Sequence, residues 1–165
     1  MIKQAIAGVA PPELGEVTVM TIWPSIGGTP AGRALGRLYE IRLGLGDILT
    51  VGNLIALASI PVALGLFALK FAPFICRRYR LTNRRLIVEK GLQPADERSV
   101  DLDDFDAIDL DILPGQAWYP VGELIFRRGP IETLRLSGVS RPETFRQTCL
   151  KAQRSFVGVQ RARGH

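Results

Sequence analysis

Few side chains in this sequence can do chemistry. Its single histidine is His165, the last residue, so no histidine-based triad or dyad can assemble within the chain. No glycine-rich phosphate loop and no metal-ligand spacing occurs. Asp101, Asp103, Asp104 and Asp106 stand at the short spacing calcium favours, but the run lacks the glycine and distal glutamate of an EF-hand loop. It reads as an exposed strand edge balancing nearby arginines. Cys76 and Cys149 show no disulfide or metal spacing. Cys149 reads as a small buried hydrophobe and Cys76 as an inert thiol at a membrane edge. The expectation is no catalytic residue, no metal and no cofactor.

What remains is electrostatic. Arg77, Arg78, Arg80, Arg84 and Arg85 crowd into nine positions. They suit anionic lipid headgroups, at about 1 kcal/mol per basic residue near a membrane surface. They suit equally a topology signal that contacts nothing specific. Charge is strongly segregated around them: residues 77–95 carry six Arg or Lys against Glu89, residues 96–111 eight Asp or Glu against Arg98, and residues 112–165 nine Arg or Lys against three Glu. The basic residues have few aromatics positioned to stack on bases, which argues against a nucleic-acid partner.

The element that must position the arginines precedes them. Residues 48–69, ILTVGNLIALASIPVALGLFAL, form a charge-free run of 22. As a helix it would extend roughly 33 Å, near the thickness of a bilayer's hydrocarbon core of about 30 Å. The expectation is a single-pass transmembrane segment over 48–76, kinked at Pro61. A re-entrant hairpin turning at Pro61 is the alternative, although the halves 48–60 and 62–76 are each too short to cross easily. Arg33, Arg37 and Arg42 lie before the run, and Arg77, Arg78, Arg80, Arg84, Arg85 and Lys90 after it. That two-to-one bias places the C-terminal part on the cytoplasmic side. Gly52, Gly65 and the Ser59/Ala63 pair would allow close helix contact. The N-terminal apolar stretch is too short for a signal peptide and lacks a cleavage site.

Residues 1–47 read as an N-terminal arm. Glu16–Trp23 alternates like a short strand, and Trp23-Pro24-Ser25 with Gly27-Gly28-Thr29-Pro30 breaks regular structure. Leu35, Leu38, Ile41 and Leu45 then space like one face of a helix over 33–47. That helix lies on the membrane with Tyr39 as an interface anchor, or packs on the following domain. Strand signals follow at 78–81, 85–90, 97–102, 107–113, 122–128 and 131–136, with 118–120 a loop or short strand. Asn83 suits a turn position of positive φ. Ser140-Arg-Pro-Glu143 forms a capping box for a last helix, whose face is Phe145, Cys149, Ala152 and Phe156. Residues 157–165 read as a frayed basic tail.

A series of antiparallel strands closed by one amphipathic helix is the outline of a pleckstrin-homology-like (PH-like) barrel, with Phe145, Cys149, Ala152 and Phe156 as its helical plug. The fold class is therefore α+β: an antiparallel barrel or sandwich over 77–156, capped by a C-terminal helix and preceded by a transmembrane helix. Tyr79-Arg-Leu-Thr-Asn-Arg-Arg-Leu-Ile-Val88, followed by Gly91, resembles the signature of the bacterial membrane-anchored PH-domain family, long a domain of unknown function. Glu16 to Trp23-Pro24-Ser25 resembles the Glu…Pro-Ser stretch preceding that family's hydrophobic segments. One apolar segment stands here where the family usually has two. The resemblance implies a module without catalysis, and the arginine cluster makes it one that reads anionic lipid at the membrane. The alternative is a scaffold that binds a protein partner or self-associates through a sheet edge or the acidic stretch 96–111.

Overall fold

The structure is a computed structural model describing residues 15–41, 43–45, 49–69, 76–91, 93 and 95–163. Residues 1–14, Arg42, Lys70, the stretch 71–75 and His165, all used in the sequence reading, lie outside the described residues.

Two antiparallel sheets enclose the core. The first has the order β1 (Thr18–Ile22), β4 (Arg77–Thr82), β5 (Arg85–Lys90) and β6 (Ala95–Asp101). The second is the meander β7 (Ala107–Asp111), β8 (Val121–Arg128) and β9 (Ile131–Ser140). Alternation along the strands sends Tyr79, Leu81, Leu86, Val88 and Val100 inward from one sheet. Leu124, Phe126, Leu134 and Leu136 meet them from the other. The C-terminal helix α4 (Pro142–Arg163) closes the barrel. On it Phe145, Cys149 and Ala152 are buried in the core, and Phe156 packs partly buried against it. This is the α+β, antiparallel, helix-capped arrangement of a PH-like fold.

Between β1 and β4 the chain makes an excursion of residues 23–76. It contains a one-turn 3-10 helix (Ile26–Gly28), α1 (Pro30–Tyr39), the two-residue strands β2 (Gly44–Leu45) and β3 (Leu49–Thr50), and helices α2 (Val51–Ala58) and α3 (Ile60–Leu69). The apolar run is thus an insertion between neighbouring strands of one sheet. The run does not stand ahead of the whole domain as expected, since the first sheet strand lies before it. The bend expected at Pro61 is present. α2 and α3 are bent by 57° to each other, and among the described residues no single helix is long and apolar enough to cross a membrane. The cause is Pro61: its ring nitrogen cannot donate to Leu57, so the helix breaks in the turn before it, at Ser59.

Other expectations are revised by local chemistry. The helix expected over 33–47 starts at Pro30 and ends at Tyr39, because Thr29 caps it, accepting from the Gly32 amide at 3.0 Å, with Pro30 in the first turn. Leu45 belongs instead to β2, paired with Leu49 of β3. Asn83 does not have positive φ. Ser140 ends β9 opposite Val121, and Glu143 turns forward to Arg146 and Gln147 rather than back to residue 140, so the capping box does not form. Nor does the helix fray at 157. It continues to Arg163, since Val157, Gln160 and Arg161 offer no stop signal and Gly158 is tolerated within a helix.

The two aromatic residues of the helical plug separate in energy. Phe145→Ala should cost about 3–5 kcal/mol by opening a cavity in a closed core, whereas Phe156→Ala should cost clearly less. Urea titration of the detergent-solubilised chain, followed by tryptophan fluorescence, measures both.

The candidate membrane-facing site

The signature hairpin acts first as a clasp on β1. β1 pairs antiparallel with β4, in a register that sets Thr18 opposite Thr82 and Ile22 opposite Tyr79. At the turn end, Asn83 accepts the Val17 amide on its side-chain oxygen and donates its own amide to the Val17 carbonyl, both at 3.0 Å. Arg85 grips both oxygens of Glu16 at 2.8 and 2.9 Å, and the Thr82 hydroxyl stands 2.9 Å from the same carboxylate. The Glu16 carboxyl is held below its usual range, chiefly by its hydrogen bond from Arg85. At the other end, Tyr79 donates across the barrel to the Ser137 carbonyl at 2.9 Å, and burial pushes its phenol up to about 12. Thus the two resembling motifs, Glu16…Ser25 and Tyr79…Val88, are in contact and bind the ends of the insertion together.

The same geometry divides the five arginines. β4 carries Arg77 at the root of the insertion and leads away from it, so Arg84 and Arg85 lie at the far turn, about 17 Å off at roughly 3.3 Å per residue. Four of the five are already paired within the fold. Arg77 meets Glu97 at 2.9 Å, Arg78 and Arg80 converge on Glu89, and Arg85 holds Glu16. Glu89 projects from the side of β5 opposite Leu86 and Val88, is 1 % exposed, and has its charge matched there twice over. Arg78 also lies over the Trp23 ring, 6.0 Å from its centre. Among the described residues Arg84 has no ion pair, and it stands at the turn remote from the insertion.

The acidic stretch is similarly occupied. Asp104 pairs with Arg128, Asp109 with Arg127 at 2.7 Å, and Asp106 accepts the Gly129 amide. No group of three or more His, Cys, Asp or Glu side chains that could hold a metal occurs among the described residues. Cys149 is fully buried, and burial alone pushes its thiol up to about 12. The β6 edge bears exposed Asp96, Glu97 and Arg98 and a bulge opposite Val88/Glu89. Charge and bulge together discourage strand addition.

Of the two placements expected for the helix around Tyr39, the structure shows the one packed on the domain, with Tyr39 buried rather than exposed as an interface anchor. What the sequence reading missed is how closely this root of the insertion is fixed. α1 is seated on the barrel so tightly that a β-carbon at Gly36 would overlap the Gly115 carbonyl, and Gly115 itself needs φ +85°. Arg33 reaches Glu123, 3 % exposed, at 3.7 Å, while Arg135 holds the other oxygen of that carboxylate at 3.1 Å. At the end of α1, Tyr39 is buried against Trp118 and Tyr119, with ring centres 4.7 and 6.2 Å away, and its hydroxyl bonds Ser59 at the α2–α3 break. Trp23, Leu38, Leu43 and Trp118 are exposed around this root. Beyond it α3 buries no residue, and Ile60, Val62, Leu64, Phe67 and Leu69 are all at least half exposed. Only the glycines and tyrosine of this root carried a sequence signal, and it was not specific.

With two sheets, a capping helix and the signature hairpin in place, comparison with known families is decisive. The family model described as "Bacterial PH domain" matches residues 34–153, well over half of the chain. The chain belongs to the bacterial PH-domain family. No curated protein and no solved structure matches it. The matched span of this bacterial PH domain begins within α1, so it takes in the apolar helices together with most of the barrel.

Two outcomes follow from the ion pairs. Glu89→Gln leaves Arg78 and Arg80 without their buried carboxylate and should cost about 2–4 kcal/mol, whereas Glu97→Gln on the surface should cost under about 1 kcal/mol. Thermal melting of both variants tests this. Since the folded Glu16 carboxyl is held below its ordinary value of 4.5, its contribution is full above that pH and lost as pH falls through the lowered value. The stability gap between wild type and Glu16→Gln should therefore be constant near neutrality and close on acidification.

Proposed function

We propose that this bacterial PH-domain protein is a non-enzymatic module held at the cytoplasmic face of the inner membrane, where the insertion fixes the barrel to lipid. The observation that carries this reading is α3. Its ten residues are apolar on every side and none is buried by the protein. A helix hydrophobic all round needs an apolar solvent rather than a single packing partner. The exposed tryptophans at the root, Trp23 and Trp118, suit the headgroup level where indoles collect. The arginine bias supports the cytoplasmic side.

Lipid-headgroup binding by the five arginines as one cluster has less support, since four of them are spent on internal carboxylates. Their pairing favours a structural and topological role, with headgroup contact secondary. The scaffold reading through the β6 edge is disfavoured by that edge's charges.

Alkaline carbonate extraction of cell membranes provides the test. The wild-type chain should remain in the pellet, and Leu64→Lys with Phe67→Lys should release at least half of it while the barrel stays folded by near-ultraviolet circular dichroism. Release of the wild type by carbonate would refute membrane anchoring.

A further inference from the structure

The fold also dictates how the insertion meets lipid, given the membrane attachment argued above. We infer that it is monotopic: α3 enters the near leaflet without crossing the bilayer, so that β1 and β4, on either side of the insertion, stay on one face of the membrane. The first argument is topological. The chain leaves the sheet at Ile22 and re-enters it at Arg77 on the adjacent, hydrogen-bonded strand, with Ile22 opposite Tyr79. A single crossing would put the two strands on opposite faces of the bilayer, and the whole Glu16–Thr82–Asn83–Arg85 clasp would be lost.

The second argument is length. α2 and α3, of 8 and 10 residues, rise about 12 and 15 Å at 1.5 Å per residue, and they diverge by 57°. Neither reaches across about 30 Å of hydrocarbon, so two full crossings are excluded as firmly as one.

The third is the anchorage of the bend. Ser59, at the break, is tied to Tyr39 and through it to Trp118 and Tyr119 on the barrel, so the break lies at the root and not at a distant tip. Gly52, at the start of α2, is packed so closely on the Tyr39 and Ile41 carbonyls that a β-carbon there would collide with both. α2 therefore packs back against the end of α1, with Gly52, Ile55, Ala56 and Ser59 the more sheltered side and Leu54 and Leu57 exposed. Only α3 projects. Its occupant is the acyl-chain region of one leaflet, because an isotropic apolar surface offers a second protein no preferred face.

The experiment uses the full chain in sealed right-side-out and inverted membrane vesicles, with a membrane-impermeant maleimide. The native cysteines are buried and serve as the unlabelled background. Reporters are Gly15→Cys, ahead of β1, Arg161→Cys, exposed on α4, and Gly65→Cys on α3; at both glycines an added β-carbon meets no atom within 4 Å. Gly15→Cys and Arg161→Cys should label at least tenfold better in the same vesicle orientation. Gly65→Cys should resist the impermeant reagent in both and react with a lipid-soluble maleimide. Labelling of residues 15 and 161 from opposite faces, or of residue 65 from the far face, would overturn the monotopic arrangement while leaving membrane attachment intact. A disulfide-linked dimer through Gly65→Cys, in place of reaction with the lipid-soluble reagent, would assign α3 to a second copy and overturn the lipid assignment. Loss of all three proteins from the membrane pellet would instead remove the attachment itself.

Discussion

The pairing of β1 with β4 is the constraint on which the rest of the molecule depends. These strands are neighbours in space but are separated in sequence by the whole of residues 23–76. Closing an excursion of that length costs on the order of 3–4 kcal/mol in chain entropy, apart from a constant. The clasp at Glu16, Val17, Thr82, Asn83 and Arg85 offsets it with a bidentate ion pair and a two-way backbone-to-asparagine exchange. Without β1, β4 becomes an unpaired sheet edge, and Tyr79 and Leu81 lose the cover of Met20 and Ile22. The signature string therefore describes a mechanical need of the fold, which is to hold an interrupted sheet together.

Charge obeys the same economy. Two glutamates, Glu89 and Glu123, are nearly inaccessible, and each is matched by two arginines from different positions in the chain. Burying a carboxylate is tolerable only when it is fully paired. Arg33 brings the insertion into this scheme, so α1 is fixed to the barrel by an ion pair as well as by close glycine contacts. A sequence that segregates basic and acidic residues into blocks folds so that the blocks neutralise one another across strands. The local surplus of arginine is much smaller in space than along the chain.

Much of the barrel was legible because its signals are local. Strand alternation, the Asn83 turn and the Phe145–Phe156 spacing each report on a few adjacent residues, and the elements lie close to where those residues put them. The broken helix was half legible: Pro61 announces a bend, but nothing in the sequence says that Ser59 will bond Tyr39. The membership of β1 in the barrel was hidden, since a five-residue strand on the far side of an apolar run reads naturally as part of an arm. The arginine cluster misled for a related reason. Spacing shows which cations are near each other, while their neutralising partners Glu16, Glu89 and Glu97 become visible only through strand register.

An interrupted sheet also imposes an order in time. During synthesis β1 is made first, and its partner emerges only after the entire insertion, several seconds later at about 5–20 residues per second. Through that interval the strand has no ladder to join, while the apolar helices are already exposed to whatever will receive them. The whole insertion is thus made before the first sheet can close around it.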